Sequence, residues 1–263
     1  MSAPEPGDTV PQSIVELQSI SKSFGGIQAL YDISFKVRPG AIHAIIGPNG
    51  AGKTTLFNII TGLYRPDEGL VLFEQNPIHG LAIHQIVRLG IARTFQNVEL
   101  FASMSVLENV LVGHHARLRS GFWGAIGRWP RVRHEESRAV EHAVELLRFT
   151  GLEELADQKS SDLPFGWQRF LEIARALASD PKLLLLDEPA SGLNAVETSQ
   201  LGELLMKIRE RGVTLLLVEH DMSLTMGISD HILVLHQGRR LAEGTPREIQ
   251  SNDAVICAYL GKD

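Results

Sequence analysis

The sequence predicts an α/β protein: a parallel sheet covered by helices on both faces and interrupted by a helical insertion. Three observations lead there. Short runs such as Leu183 to Leu186, Thr214 to Val218 and Ile232 to Leu235 carry apolar residues on both faces and alternate with amphipathic helical patterns. Strands of that kind belong to a parallel sheet buried on both sides. A glycine-rich stretch, Gly47 to Thr54, joins another such run, Ala41 to Ile46, to a helical pattern. Residues 83 to 178 then change character, and helical periodicity dominates.

Each element follows from its residues. Residues 1 to 13, with Pro4, Pro6 and Pro11 and no apolar stretch, read as a flexible N-terminal tail, neither signal peptide nor membrane span. Ile14 to Leu17, Ile33 to Val37 and Ala41 to Ile46 are β-type runs, with turns at Gly25-Gly26 and Pro39-Gly40. The helix after Gly52 carries Leu56, Phe57, Ile59 and Ile60, and Pro66 to Gly69 makes a turn before the strand Leu70 to Phe73. In the helical part, Val106 to His115 and Ser137 to Thr150 are the clearest helices. Another follows the stretch "SDLPFGWQRFLEIARAL", where Phe170, Leu171, Ile173, Ala174 and Leu177 recur at helical spacing, with Gly166 at the entrance. Val196 to Arg211 is a helix between two strands. Thr245-Pro246-Arg247-Glu248 is a capping box with proline at the first helical position.

Composition sets the bounds. The 263 residues are 44% hydrophobic and 21% charged, ordinary globular usage for one large or two modest domains. A net charge of -6 argues against affinity for nucleic acid through phosphate neutralisation. The single cysteine, Cys257, excludes an internal disulfide and fits a reducing compartment. No apolar run approaches the roughly 20 residues of a membrane span, so a soluble intracellular chain is expected, one that can still sit on a membrane through a partner.

Gly47-Pro48-Asn49-Gly50-Ala51-Gly52-Lys53-Thr54 fits G-x-x-x-x-G-K-[ST] between a buried strand and a helix. In that setting the backbone N–H groups and helix N-terminus wrap phosphates. Lys53 reaches the β- and γ-phosphates, the Thr54 hydroxyl coordinates Mg²⁺, and Thr55 completes the nucleotide-binding stretch. The Asn-Lys-x-Asp reader of guanine is absent from the sequence. Leu183 to Leu186 instead ends in Asp187-Glu188. A buried strand ending this way places Asp187 beside the metal and Glu188 where it can polarise a water in line with the γ-phosphate.

These residues resemble the ATP-binding subunit of ABC transporters, from about residue 14 to 262. The resemblance implies a RecA-like P-loop NTPase core (14–86 and 179–263) with an antiparallel β subdomain and a helical ABC subdomain (87–178). It also implies ATP and Mg²⁺ as ligands. Leu163-Pro164-Phe165-Gly166-Trp167 occupies the place of the signature loop, which faces the γ-phosphate of ATP bound to the opposite subunit; Gly166 would leave room for it. Gln96, in Thr94-Phe95-Gln96, matches the Q-loop that touches Mg²⁺ and links to the membrane subunit. Ser191-Gly192-Leu193-Asn194 sits at the D-loop, His220 matches the switch histidine, and Phe24 the aromatic that stacks on adenine.

Two departures fall on the partner-facing side. Pro164 and Trp167 replace the serine and glutamine of the usual Leu-Ser-Gly-Gly-Gln, and Asn194 replaces the D-loop aspartate. A serine hydroxyl on phosphate is worth about 1.5–3 kcal/mol. Proline supplies neither hydroxyl nor N–H.

Further stretches, Ile91 to Val98, Pro189 to Asn194, Glu243 to Pro246 and Ala258 to Gly261, are similar to one of the two ATPases of branched-chain amino acid importers. Importers for urea, short amides or other hydrophobic amino acids share much of this pattern. The implied partners are two membrane-spanning permease subunits, a second ATPase (the same chain or a relative) and a separate solute-binding protein. The implied place is the cytoplasmic face of the inner membrane, peripherally bound. Arg117 to Arg131 is basic and aromatic-rich, with Trp123 and Trp129; it reads either as a solvated loop or as a contact with a membrane subunit or anionic lipid headgroups. A soluble ABC ATPase acting on ribosomes or nucleic acid usually pairs two ATPase units or carries long coiled coils, features not found in this sequence. A vestigial binding module would not keep Lys53, Asp187, Glu188 and His220 together.

Overall fold

A computed structural model describes residues 13–94, 96, 98–115 and 130–260. The expected tail up to residue 12, Phe95, and the basic stretch with Trp123 and Trp129 lie outside the described residues. The chain opens with β1 (Val15–Phe24) and β2 (Ile27–Val37), a hairpin over Gly25-Gly26. Then come β3 (Ile42–Ile46), α1 (Lys53–Ile60), β4 (Glu68–Phe73), β5 (Asn76–Pro77), α2 (Ile83–Leu89) and β6 (Ile91–Arg93). The helical part holds α3 (Val106–His115), α4 (Pro130–Thr150) and α5 (Phe165–Leu177). It is followed by β7 (Leu183–Asp187), α6 (Ala195–Glu210), β8 (Thr214–Val218), α7 (Met222–Ile228), β9 (His231–His236), β10 (Arg239–Gly244), α8 (Pro246–Gln250) and α9 (Asp253–Leu260).

Two sheets form. The larger has the order β10-β9-β3-β8-β7-β6, parallel except for the β10 edge. The smaller, β2-β1-β4-β5, is antiparallel. Because successive side chains on a strand point to opposite faces, the central strands divide their residues between two cores. Ile45, Leu183, Leu185, Leu216, Val218, Leu233 and Leu235 pack with α1 and the small sheet. Ala44, Ile46, Leu184, Leu186, Leu215, Leu217 and Val234 pack with α3, α4, α5 and α6. That division accounts for the runs apolar on both faces.

Three expectations shift. Residues 91–93, expected to belong to the helical part from residue 87 onward, form β6 and pair in parallel with β7. Three residues, Ile-Ala-Arg, are too few to show a period of two. α5 starts at Phe165, with Pro164 as its N-cap, so Gly166 lies in the first helical turn. Apolar spacing shows only from Phe170 because the first turn presents its side chains outward. α4 begins at Pro130, a turn and more before the expected Ser137, since proline suits a helix start.

Candidate functional site

The phosphate loop leaves β3 and enters α1 at the C-terminal edge of the parallel sheet, where ligands collect in open α/β folds. Gly47 is buried, and a Cβ there would collide with the main-chain oxygen of Leu235 on β9. Only glycine lets the loop leave the strand so close to its neighbour. Gly52 is the N-cap of α1, no side chain caps the helix, and its first turn holds no acidic residue. The Lys53 ammonium donates to the main-chain oxygens of Gly47 (2.7 Å) and Pro48 (3.1 Å). Burial pulls its pKa down, opposed by the charges of Glu188 and Asp187. Asn49, Gly50 and Thr54 are exposed, Pro48 and Thr55 half-buried, and Ala51 is packed into the core.

Asp187, at the buried end of β7, accepts from Arg93 Nη2 at 2.7 Å. Arg93 also donates to Asn58 on α1 (2.6 Å), so the acidic strand end is tied to the phosphate-loop helix. Glu188 stands one residue beyond the sheet in the left-handed region (φ 49), pinned by its N–H to Val218 O at 2.9 Å. A non-glycine residue in that conformation is uncommon and costs about 1–3 kcal/mol, which the surrounding contacts must offset. Its carboxylate is gripped on both sides. Gln96 Nε2 donates to Oε2 at 2.9 Å, and His220 Nε2 lies 3.0 Å from Oε1. Gln96 and His220, 92 and 32 residues from Glu188 along the chain, thus share one cluster with it.

Phe24 closes β1 as a part-exposed ring. It meets Tyr64 edge-on, centroids 5.1 Å apart, with the Lys22 ammonium 5.4 Å from its centroid. Lys22 in turn bonds Asp67 at 2.6 Å. An aromatic face flanked by a second ring and a cation can receive a flat heterocycle.

The Leu163–Trp167 stretch lies elsewhere on the chain. Leu163 and Gly166 are buried, whereas Pro164, Phe165 and Trp167 are exposed. Pro164 caps α5 without a side-chain hydrogen bond. The Phe165 ring rests against Gly192. A Cβ on Gly166 would run into the Glu197 carboxylate of α6. The missing side chain of this glycine makes room for Glu197 of its own chain. Glu197 is fixed there by a capping box with Asn194, whose Oδ1 accepts from the N–H groups of Val196 (2.9 Å) and Glu197 (3.0 Å). Asparagine at 194 is thus an effective helix cap.

Sequence reasoning passed over four residues that the structure ties to this region. Arg93 bridges Asp187 and Asn58. Arg169, fully buried on α5, pairs with Glu172 (3.0 Å) and donates to the main-chain oxygen of Gln96 (2.9 Å). Glu219 is buried beside His220. Tyr259, on α9 near Gly47, has its phenol pushed up to about 12 by burial. The available signal was charge in apolar company: Arg169 and Glu172 at i,i+3 within a helix pattern, and Glu219 at the end of a buried strand.

A phosphate loop between a buried strand and a helix, with an acidic strand end alongside, defines an α/β P-loop NTPase. Residues 30–191 match the family model described as ABC transporter, and residues 239–263 that described as branched-chain amino acid ATP-binding cassette transporter. The chain belongs to the ABC transporter family, as one of its ATP-binding subunits. It is 46% identical over 250 residues to the high-affinity branched-chain amino acid transport ATP-binding protein BraF of Pseudomonas aeruginosa, covering 95% of this chain and 98% of that one. To LivG of Escherichia coli, with the same description, it is 45% identical over 252 residues, covering 95% and 99%. A solved ADP conformation of an ATP-binding cassette of an ABC transporter matches with a TM-score of 0.83 at 34% identity, covering 95% of this chain and 99% of that one.

Proposed function

We propose that this chain is the ATP-binding subunit of an ABC importer and hydrolyses ATP at a two-subunit interface to drive uptake of branched-chain or related hydrophobic amino acids. The grip of Gln96 and His220 on Glu188, at the exit of the Asp187 strand, carries the reading. Identity to BraF and LivG along nearly the whole chain, together with the family match over residues 239–263, favours branched-chain amino acids over urea or amides.

The donor set fits a nucleotide with Mg²⁺. An uncapped helix N-terminus without acidic residues, with a lysine and a hydroxyl in its first turn, supplies the kind of donors that a polyphosphate requires. Among the described residues no group of three or more His, Cys, Asp and Glu converges. A magnesium ion bound through one carboxylate, a hydroxyl, waters and substrate phosphates suits such a set. Thr54 and Asp187 would hold it, with Gln96 alongside; it would neutralise charge on the β- and γ-oxygens.

The residues of the chain then divide the work. Lys53 turns from the loop carbonyls to the phosphates. Phe24 stacks on the base. Glu188 takes a proton from the attacking water, and His220 and Gln96 hold its carboxylate in place. The Leu163–Trp167 loop presents the α5 N-terminus to ATP on a second ATPase, through backbone N–H groups and helix dipole, since Pro164 brings no hydroxyl. Residues 14–86 and 179–263, now joined by β6, form the nucleotide core, and the helical part carries this loop. No helix among the described residues is long and apolar enough to cross a membrane. Two permease subunits would therefore hold the chain at the cytoplasmic face of the membrane, with a separate solute-binding protein delivering the cargo.

Glu188→Gln tests the assignment. It should leave ATP affinity within about twofold and slow turnover by about a hundredfold or more, because only the transition-state role is lost. Turnover of the native chain should rise when permease subunits are added. Near-normal hydrolysis by Glu188→Gln refutes the role of Glu188; stimulation by nucleic acid in place of permease refutes the transporter.

A further inference from the structure

The buried carboxylate of Glu219 lies between two segments of the catalytic cluster. Its Oε1 accepts from the N–H of Ala190 at 2.6 Å. Its Oε2 accepts from the N–H of His220 at 2.8 Å and of Asp221 at 3.2 Å. Ala190 is two residues past Glu188, in the turn that leaves β7, and His220 follows the end of β8. β7 and β8 are neighbours, with Asp187 opposite Val218. Two links therefore cross between the same strand ends. Glu188 reaches the imidazole of His220, and Glu219 reaches back to the backbone beside Glu188.

The arrangement is costly to build. Burial pushes the Glu219 carboxyl up, with the nearby Asp221 adding to that, against the pull of the three N–H groups. A buried carboxylate persists where it satisfies donors that would otherwise go unmet. Backbone amides so engaged cannot shift independently: the His220 turn and the Ala190 turn move together or not at all. A glutamine at 219 would meet the same three donors with one carbonyl oxygen and an NH₂ group. The NH₂ would face an N–H, donor against donor.

We infer that Glu219 is a positioning residue: it locks the turn bearing His220 to the turn following Glu188, and so sets the alignment of His220 on the Glu188 carboxylate. Phe24, Lys53 and the phosphate loop are not among its partners, so nucleotide binding does not depend on it. The inference rests on the proposed ATPase reading of this cluster.

The test uses the full chain in its membrane complex. The native chain is measured first; absence of ATP turnover there would overturn the ATPase reading itself. Given native turnover, Glu219→Gln should lower kcat about tenfold and leave the KM for ATP within about twofold. In a His220→Ala chain the same substitution should change the residual kcat by less than about twofold, because the alignment it maintains is already gone. An equal loss in both backgrounds would make Glu219 a general support of the fold and overturn the inference. An unchanged kcat in the native background would also overturn it. Should Glu219→Gln fail to fold, Glu219→Asp, which keeps the charge on a shorter arm, carries the same comparison with the same outcomes.

Discussion

Replacing Arg169 by methionine separates a stabilising role from a positioning one. Arg169 and Glu172 are each 1% exposed and bonded at 3.0 Å within one turn of α5, and Arg169 also holds the Gln96 carbonyl. Removing one member of a buried pair costs about 3–5 kcal/mol, because the other charge loses its partner in a low-dielectric site. The low end applies here. Arg175, whose guanidinium burial pulls down and whose charge Glu172 and Glu99 sustain, also faces Glu172 and takes up part of the field. A loss of about 3 kcal/mol corresponds to a melting point lower by roughly 6–12 °C in a domain of this size. Arg169→Met combined with Glu172→Leu removes both charges and should recover part of that loss, since an apolar replacement of a buried pair is often neutral, but it stops short of native because Arg175 loses the Glu172 charge and the Gln96 carbonyl its donor. ATP turnover should not return with it. The Gln96 main chain has lost its anchor in both variants, and Gln96 is what holds Oε2 of Glu188. Thermal melts read the first effect and steady-state hydrolysis the second. Recovery of both in the double variant would refute the coupling of α5 to Gln96, and an unchanged melting point in the single variant would refute the buried pair.

Two further substitutions address the phosphate contacts. Lys53→Ala should weaken ATP affinity roughly ten- to a hundredfold, the value of about 1.5–3 kcal/mol for hydrogen bonds to a charged group; calorimetric titration showing native affinity would count against the phosphate-loop reading. Gly166→Asp should abolish ATP-driven association and turnover while ATP binding stays within about twofold, because the new carboxylate meets Glu197 and the incoming phosphate together. Size-exclusion chromatography with and without ATP reads the association, and normal assembly with normal hydrolysis would exclude a role for the α5 N-terminus in trans.

What could be read from the sequence divides along a physical line. Short-range signals were complete: the phosphate loop, the both-face strands, the capping box at Thr245 and the Asp187-Glu188 strand end each need only their own neighbours. β6 escaped because three residues carry no period, and because its partner β7 lies ninety residues on. The buried charges escaped for a related reason. Arg93, Arg169 and Glu219 look like surface residues until their partners arrive from distant segments: Asp187 on β7 and the Gln96 carbonyl accept from the two arginines, and the Ala190 N–H donates to Glu219.

Gly166 shows how a correct position can carry an incomplete cause. Its place in the signature stretch drew attention to an approaching phosphate, but the group its missing side chain admits is Glu197. The same Glu197 closes the capping box with Asn194, and the Phe165 ring rests on Gly192 in the intervening turn. Gly166, Gly192 and Asn194 therefore form one packing unit between the start of α5 and the start of α6. Two of the departures from the family pattern acquire a local reason from it. Asn194 is kept by the cap it makes, and Pro164 leaves the α5 N-terminus without a side-chain cap. An anion arriving at that terminus meets backbone N–H groups whose geometry is fixed by α6. On the proposed reading, the strength of the contact that this terminus makes with a second subunit's nucleotide is set by how firmly Glu197 and Phe165 hold the turn, more than by a hydroxyl this chain does not have.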